Sequence, residues 1–130
     1  MEPTGRKSSG FHITTFKDKK VVVLCFRDMA LNFYVSKSLK EILEEALRQK
    51  LEEGYRHFVL DMSEVKVMDS TGLGLTIVAH NVVSARNAKL CICSVRKFIR
   101  QIFTVCRVDK HLRFFDDQEE ALAAIASEGG

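Results

Sequence analysis

Within the six residues Asp69-Ser70-Thr71-Gly72-Leu73-Gly74 the chain places one carboxylate, two adjacent hydroxyls and two glycines. Three kinds of chemistry draw on those residue types: a hydroxyl nucleophile with its base, a phosphate acceptor, and the plain capping of a helix. The flanks narrow the choice. His57-Phe58-Val59-Leu60-Asp61-Met62 upstream is a short apolar run expected of a buried strand, and Leu73 to Ala85 downstream is a longer proline-free apolar stretch expected of a packed helix. The hydroxyls therefore precede or open a helix, where unpaired backbone N–H groups and the positive end of the helix dipole are available. Such a position suits an N-cap, and it also suits a phosphate.

The catalytic alternatives each lack a part. A nucleophile elbow needs Gly-x-Ser-x-Gly, and Met68 stands where its first glycine belongs. A dinucleotide fingerprint counted from Gly72 and Gly74 meets Ile77 at its sixth place, and no Gly-Lys-Ser/Thr phosphate loop is present. His12, His57, His80 and His111 are scattered, and ten helical residues put His80 about 15 Å along the axis from Ser70, beyond the reach of a general base. Cys25, Cys91, Cys93 and Cys106 form no Cys-x-x-Cys and lie near no histidine pair, so they read as small buried hydrophobes, with Cys91 and Cys93 on one face of a strand. The expectation is a chain with no catalytic residues, no metal and no cofactor.

The elements that must position the hydroxyls follow from pattern. Phe11–Phe16 and Val21–Phe26 read as strands around a polar turn, and the unbroken apolar run of the second points to a central strand covered on both faces. Ser36 to Gly54 is the clearest helix. Leu39, Ile42, Leu43, Ala46, Leu47 and Leu51 make one stripe, Lys40, Glu44 and Arg48 follow at i, i+4, Ser36 is placed to cap the start, and Gly54 suits the left-handed position past the end. Further strands are expected at 57–62, 89–95 and 112–115, and helices from the Ser70 region to about 87, at 97–107 and at 117–127. The order β-β-α-β-α-β-α-β-α implies one α/β domain with a mostly parallel central sheet and about four helices. Residues 1–10 read as a flexible N-terminal tail, 11–127 as the domain and 128–130 as a C-terminal tail.

At 130 residues the chain suits one domain, and a net charge of +3 with acids and bases interspersed makes no electrostatic case for nucleic acid. No apolar run approaches the roughly 20 residues that span a bilayer. With no secretory signal in the sequence and four reduced cysteines, a cytoplasmic protein that contacts neither membrane nor nucleic acid is expected. Arg96-Lys97-Phe98-Ile99-Arg100 reads as a solvated helix start.

Met68-Asp69-Ser70-Thr71-Gly72-Leu73-Gly74, set in this element order, resembles the signature of STAS domains, specifically the bacterial anti-sigma factor antagonists. The resemblance spans about residues 11–127. It implies a STAS-like fold in which Ser70, the first hydroxyl after the acid, is phosphorylated by an anti-sigma factor with serine-kinase activity. Thr71 is the second candidate acceptor. It further implies that a serine/threonine phosphatase resets the cycle, and that Asn32, Asp69, Ser70, Thr71, Gly72 and Leu73 meet the partner. Met29, Met68 and Leu73 are either the apolar part of that surface or ordinary core. One departure stands out. Where the family carries Gly-x-Leu/Ile-Asp before its first helix, this chain has Met29-Ala30-Leu31-Asn32, so the acid becomes an amide, with Asp28 as a candidate stand-in for the charge. The missing acid leans toward another use of the same domain, as a STAS interaction subunit of a sensory or transport complex.

Overall fold

The computed structural model describes residues 4–8 and 10–128. Strands β1 (Thr4–Ser8), β2 (Phe11–Phe16), β3 (Val21–Phe26) and β4 (Ala30–Leu31) lead into helix α1 (Phe33–Glu52). Then come β5 (His57–Asp61), β6 (Val67–Met68), α2 (Ser70–Ser84), β7 (Lys89–Cys93), α3 (Lys97–Val105), β8 (Arg113–Phe115) and α4 (Gln118–Ser127). Six strands form one sheet in the order β1-β2-β3-β5-β7-β8. The pairings β3–β5, β5–β7 and β7–β8 are parallel, while β1–β2 and β2–β3 are antiparallel. This is the mostly parallel α/β domain with four helices that the pattern predicts.

Alternation along β3 explains its unbroken hydrophobicity. Val22, Leu24 and Phe26 face the larger core with the apolar stripes of α1, α2 and α3, while Val21 and Val23 face a smaller one closed by Ala121 and Ile125 of α4. With helices on both faces, no position of the strand is left for a polar residue. In α1, Leu39, Leu43, Leu47 and Leu51 are buried at four-residue spacing, each contributing about 1.5–3 kcal/mol relative to exposure. Gly54 has φ +100° just past the helix, as its position predicts. Cys91 and Cys93 share the smaller core, where burial pushes their thiols up to about 11 and about 12 and keeps them neutral. Cys106 is exposed rather than buried.

Three further expectations change. Part of the expected N-terminal tail is strand: Thr4–Ser8 pairs antiparallel with β2, from Thr4 opposite Thr15 to Ser8 opposite Phe11. Residues 1–3 and 9 lie outside the described residues. At the other end Glu128 is no tail residue, since its carboxylate meets Arg113 Nη2 at 2.7 Å and Lys89 Nζ at 3.8 Å; 129–130 again lie outside. Helix α1 begins at Phe33, three residues earlier than its leucine stripe suggests, and Asn32 rather than Ser36 caps it. Ser36 is buried within the helix. A capping side chain needs an extended backbone just outside the helix, and Asn32, at φ −93° and ψ 179°, has it.

Candidate functional site

Two short strands bring the predicted site together. β3 and β5 run parallel and leave the sheet at the same end, and there β4 and β6 pair in parallel, Ala30 opposite Val67 and Leu31 opposite Met68. Each chain segment then turns directly into a helix. Asn32 and Asp69 thus occupy equivalent places, one capping α1 and the other capping α2. Asn32 Oδ1 accepts from Val35 N–H at 3.1 Å, and Asp69 Oδ1 accepts from Thr71 N–H at 2.9 Å. The two caps are joined: Asp69 N–H donates to Leu31 C=O at 3.2 Å. Asp28 takes no part in these bonds.

Gly72 makes this convergence possible. A Cβ there would collide with Met68 Cγ and stand 2.8 Å from Leu31 Cβ and 3.0 Å from Leu31 O. The first turn of α2 therefore lies against β4 only because residue 72 has no side chain. Leu73, 5% exposed, and Met68 belong to the hydrophobic core. Of the six residues expected at a partner surface, Asn32, Asp69 and Ser70 are exposed and Thr71 is half-buried, whereas Gly72 and Leu73 are buried and serve packing. The two hydroxyls also part company. Thr71 Oγ1 donates a short hydrogen bond to Asp69 Oδ1, while Ser70 is exposed and its hydroxyl has no hydrogen-bond partner among the described residues.

The Thr71 hydroxyl, followed by the backbone N–H groups of Thr71, Gly72 and Phe33, holds the Asp69 carboxyl below its ordinary value of 3.8. An acid whose pKa is lower in the folded chain adds stability above its unfolded value, and that stability is lost as pH falls through the folded one. The cap is therefore complete at neutral pH. Because Asn also caps but does not titrate, the Tm difference between the protein and Asp69→Asn is expected to narrow as pH falls below 3.8; a constant difference in differential scanning fluorimetry would refute the assignment. Asn32→Ala, which removes the α1 cap, is expected to cost about 1 kcal/mol in urea unfolding.

At the two short strands and the first turn of α1 four apolar side chains are exposed and form a collar that pattern reading missed, apart from Met29: Met29, Phe33, Tyr34 (80% exposed) and Val67. Phe33 and Tyr34 meet edge to face at 5.5 Å. Their signal was two adjacent aromatics ahead of the leucine stripe and out of phase with it. At the start of α3, Ile99 is buried, Arg100 lies 3.6 Å over the Phe114 ring, and Arg96 Nη2 donates to Ser63 C=O at 3.4 Å, leaving Lys97 and Phe98 exposed.

Fold and site together define a small α/β module with an exposed, unbonded hydroxyl where two helix N-termini meet. The STAS domain family matches residues 15–121, and the chain belongs to it. Among its relatives is the anti-sigma F factor antagonist of Paenibacillus polymyxa, 21% identical over 95 residues that span 73% of this chain and 79% of that one. An anti-sigma-factor antagonist (STAS) domain protein from Planctomyces limnophilus superposes with a TM-score of 0.77 at 18% identity, over 89% of this chain and 97% of its own. A sulfate transporter family protein from Wolinella succinogenes does so at 0.69 and 24%, over 82% and 85%. The shared fold spans proteins with different names, so function has to be argued from the site.

Proposed function

We propose that the chain is an anti-sigma factor antagonist working by partner switching. Unphosphorylated, it binds an anti-sigma factor that is also a serine kinase and so frees a sigma factor; phosphate on Ser70 ends the binding, and a serine/threonine phosphatase restores it. The reading needs no catalysis by this chain and no contact with membrane or nucleic acid, and it places the exchange in the cytoplasm. The observation that carries it is the difference between the two hydroxyls. Ser70 is exposed and unpartnered, whereas Thr71 is committed to Asp69. The antagonist relative and the acid-Ser-Thr-Gly-Leu-Gly run support the same conclusion.

Phosphate adds about 1.5–2 negative charges at the first residue of α2, where the helix N-terminus tolerates them, so the domain stays folded. The cost falls on the interface. A partner packed against a hydroxyl and the collar of Met29, Phe33, Tyr34 and Val67 would have to desolvate a dianion beside Asp69. Turning nearly full binding into nearly full release needs about 5.5 kcal/mol of discrimination. The test incubates the purified chain with ATP and the kinase recovered on it as bait, followed by phosphosite mapping and gel filtration. One phosphate on Ser70 and loss of co-elution are expected; phosphate on Thr71, or none, overturns the reading.

A further inference from the structure

One helical turn beyond Ser70, on the same side of α2, a shallow cavity of 240 Å³ opens between α1 and α2, with Phe33, Ser36, Lys37, Lys40, Gly74 and Val78 among its walls. Four observations say that it is built to be filled. A Cβ at Gly74 would meet nothing within 4 Å, so packing does not explain a glycine that weakens the helix interior. Ser36 occupies a position of the buried stripe, is 4% exposed, and its hydroxyl has no hydrogen-bond partner. A larger apolar side chain at 74 would fill the space that the glycine leaves open. The Phe33 ring at the mouth is exposed although an apolar wall lies beside it. Finally, Lys37 and Lys40 are exposed, neither is in an ion pair among the described residues, and no acidic residue lines the cavity.

Size and charge select the occupant. At 240 Å³ the cavity falls below the roughly 300–1,000 Å³ of sites that enclose a small molecule, and it suits one or two side chains of a protein. Two unpaired ammonium groups at an apolar wall call for an apolar side chain with carboxylates beside it. We infer that this groove is the docking slot for the kinase partner, receiving an apolar side chain of that protein flanked by Asp or Glu. The inference rests on the proposed antagonism and adds to it the feature that decides which kinase is accepted. Docking one turn away from Ser70 brings the hydroxyl to the partner without using the hydroxyl for affinity.

Two measurements test the slot. In the first, the ¹⁵N-labelled chain is titrated with 4-phenylbutyrate, an apolar ring carrying a carboxylate, and with its neutral amide. Amide shifts centred on Ser36, Lys37, Gly74 and Val78 are expected, with the neutral probe weaker and both abolished in Gly74→Leu. Shifts centred elsewhere, none at all, or equal binding of the two probes overturn the proposal. In the second, Ser70 phosphorylation by the partner kinase is followed in Gly74→Leu and in the double variant Lys37→Glu/Lys40→Glu, with folding checked by circular dichroism. KM is expected to rise about tenfold with kcat within about twofold, and the reversed charges to flatten the salt dependence. Unchanged KM in folded variants overturns the slot and leaves the antagonist reading standing. Failure of the unmodified chain to be phosphorylated on Ser70 ends the antagonist reading instead, whatever the probes show.

Discussion

Ser70→Ala is expected to fold as the parent does, to take up no phosphate, and to hold the partner kinase whether or not ATP is present. The first residue of α2 contributes little to the fold through its side chain: the cap is supplied by Asp69, and the Ser70 hydroxyl is exposed and unbonded. Alanine is the best helix former, so stability should change by no more than about 0.5 kcal/mol. Ser70→Asp is the informative companion. A negative charge in the first turn is favoured by the helix dipole by about 0.3–1 kcal/mol, so this variant should melt no lower than the parent. Its binding should nevertheless fall by about 100-fold, less than phosphate achieves, because a carboxylate carries about half the charge and fewer acceptor oxygens. Calorimetry of the three proteins against the kinase, with phosphate incorporation measured in parallel, separates these effects. Stoichiometric phosphorylation of Ser70→Ala would show that the acceptor lies elsewhere.

The second large effect is a contrast between two glycines. Gly72→Ala is expected to destabilise by about 1–3 kcal/mol, and Gly74→Ala to stabilise by about 0.5–1 kcal/mol, though both are helical and two residues apart. At Gly72 the new methyl group meets Leu31, including its backbone oxygen at 3.0 Å, so either β4 or the first turn of α2 must move. At Gly74 it meets nothing, and only the entropic cost of glycine is removed. Thermal melts of the two variants should thus shift by several degrees in opposite directions. Because Gly72 holds the two capped helix ends together, its substitution should also weaken partner binding without touching the partner. Equal destabilisation by both alanines would mean that the contact with β4 is not what residue 72 protects.

Much of the scaffold was legible because it is written in local periodicity. The leucines at 39, 43, 47 and 51 mark α1, and the apolar runs at 21–26, 57–61 and 89–93 mark the parallel centre of the sheet. The resemblance carried by Met68 to Gly74 pointed to the family that the match over residues 15–121 establishes. The misses have a common cause. β4 and β6 are two residues long, too short for a strand pattern, and they exist because they pair with each other. The leucine stripe puts the start of α1 at Ser36, yet helices are bounded by capping and not by hydrophobic phase, and the cap is Asn32. That shift hid Phe33 and Tyr34, which now belong to the surface around Ser70.

From residue order alone it follows that a carboxylate and two hydroxyls open a helix at the end of a parallel strand, since strand and helix periods are properties of neighbouring residues. Which hydroxyl stays free, that Met68 and Leu73 are core, and that Asn32 lies beside Asp69 were decided by tertiary structure. The last two depend on β4 pairing with β6 and on α2 lying against Leu31, contacts between segments far apart in the chain that no local pattern encodes, while the first is settled within the cap by the bond from Thr71 to Asp69. Asn32 offers the same cap an aspartate would, so what the exchange removes from the site is one negative charge next to Asp69, and its geometry is kept.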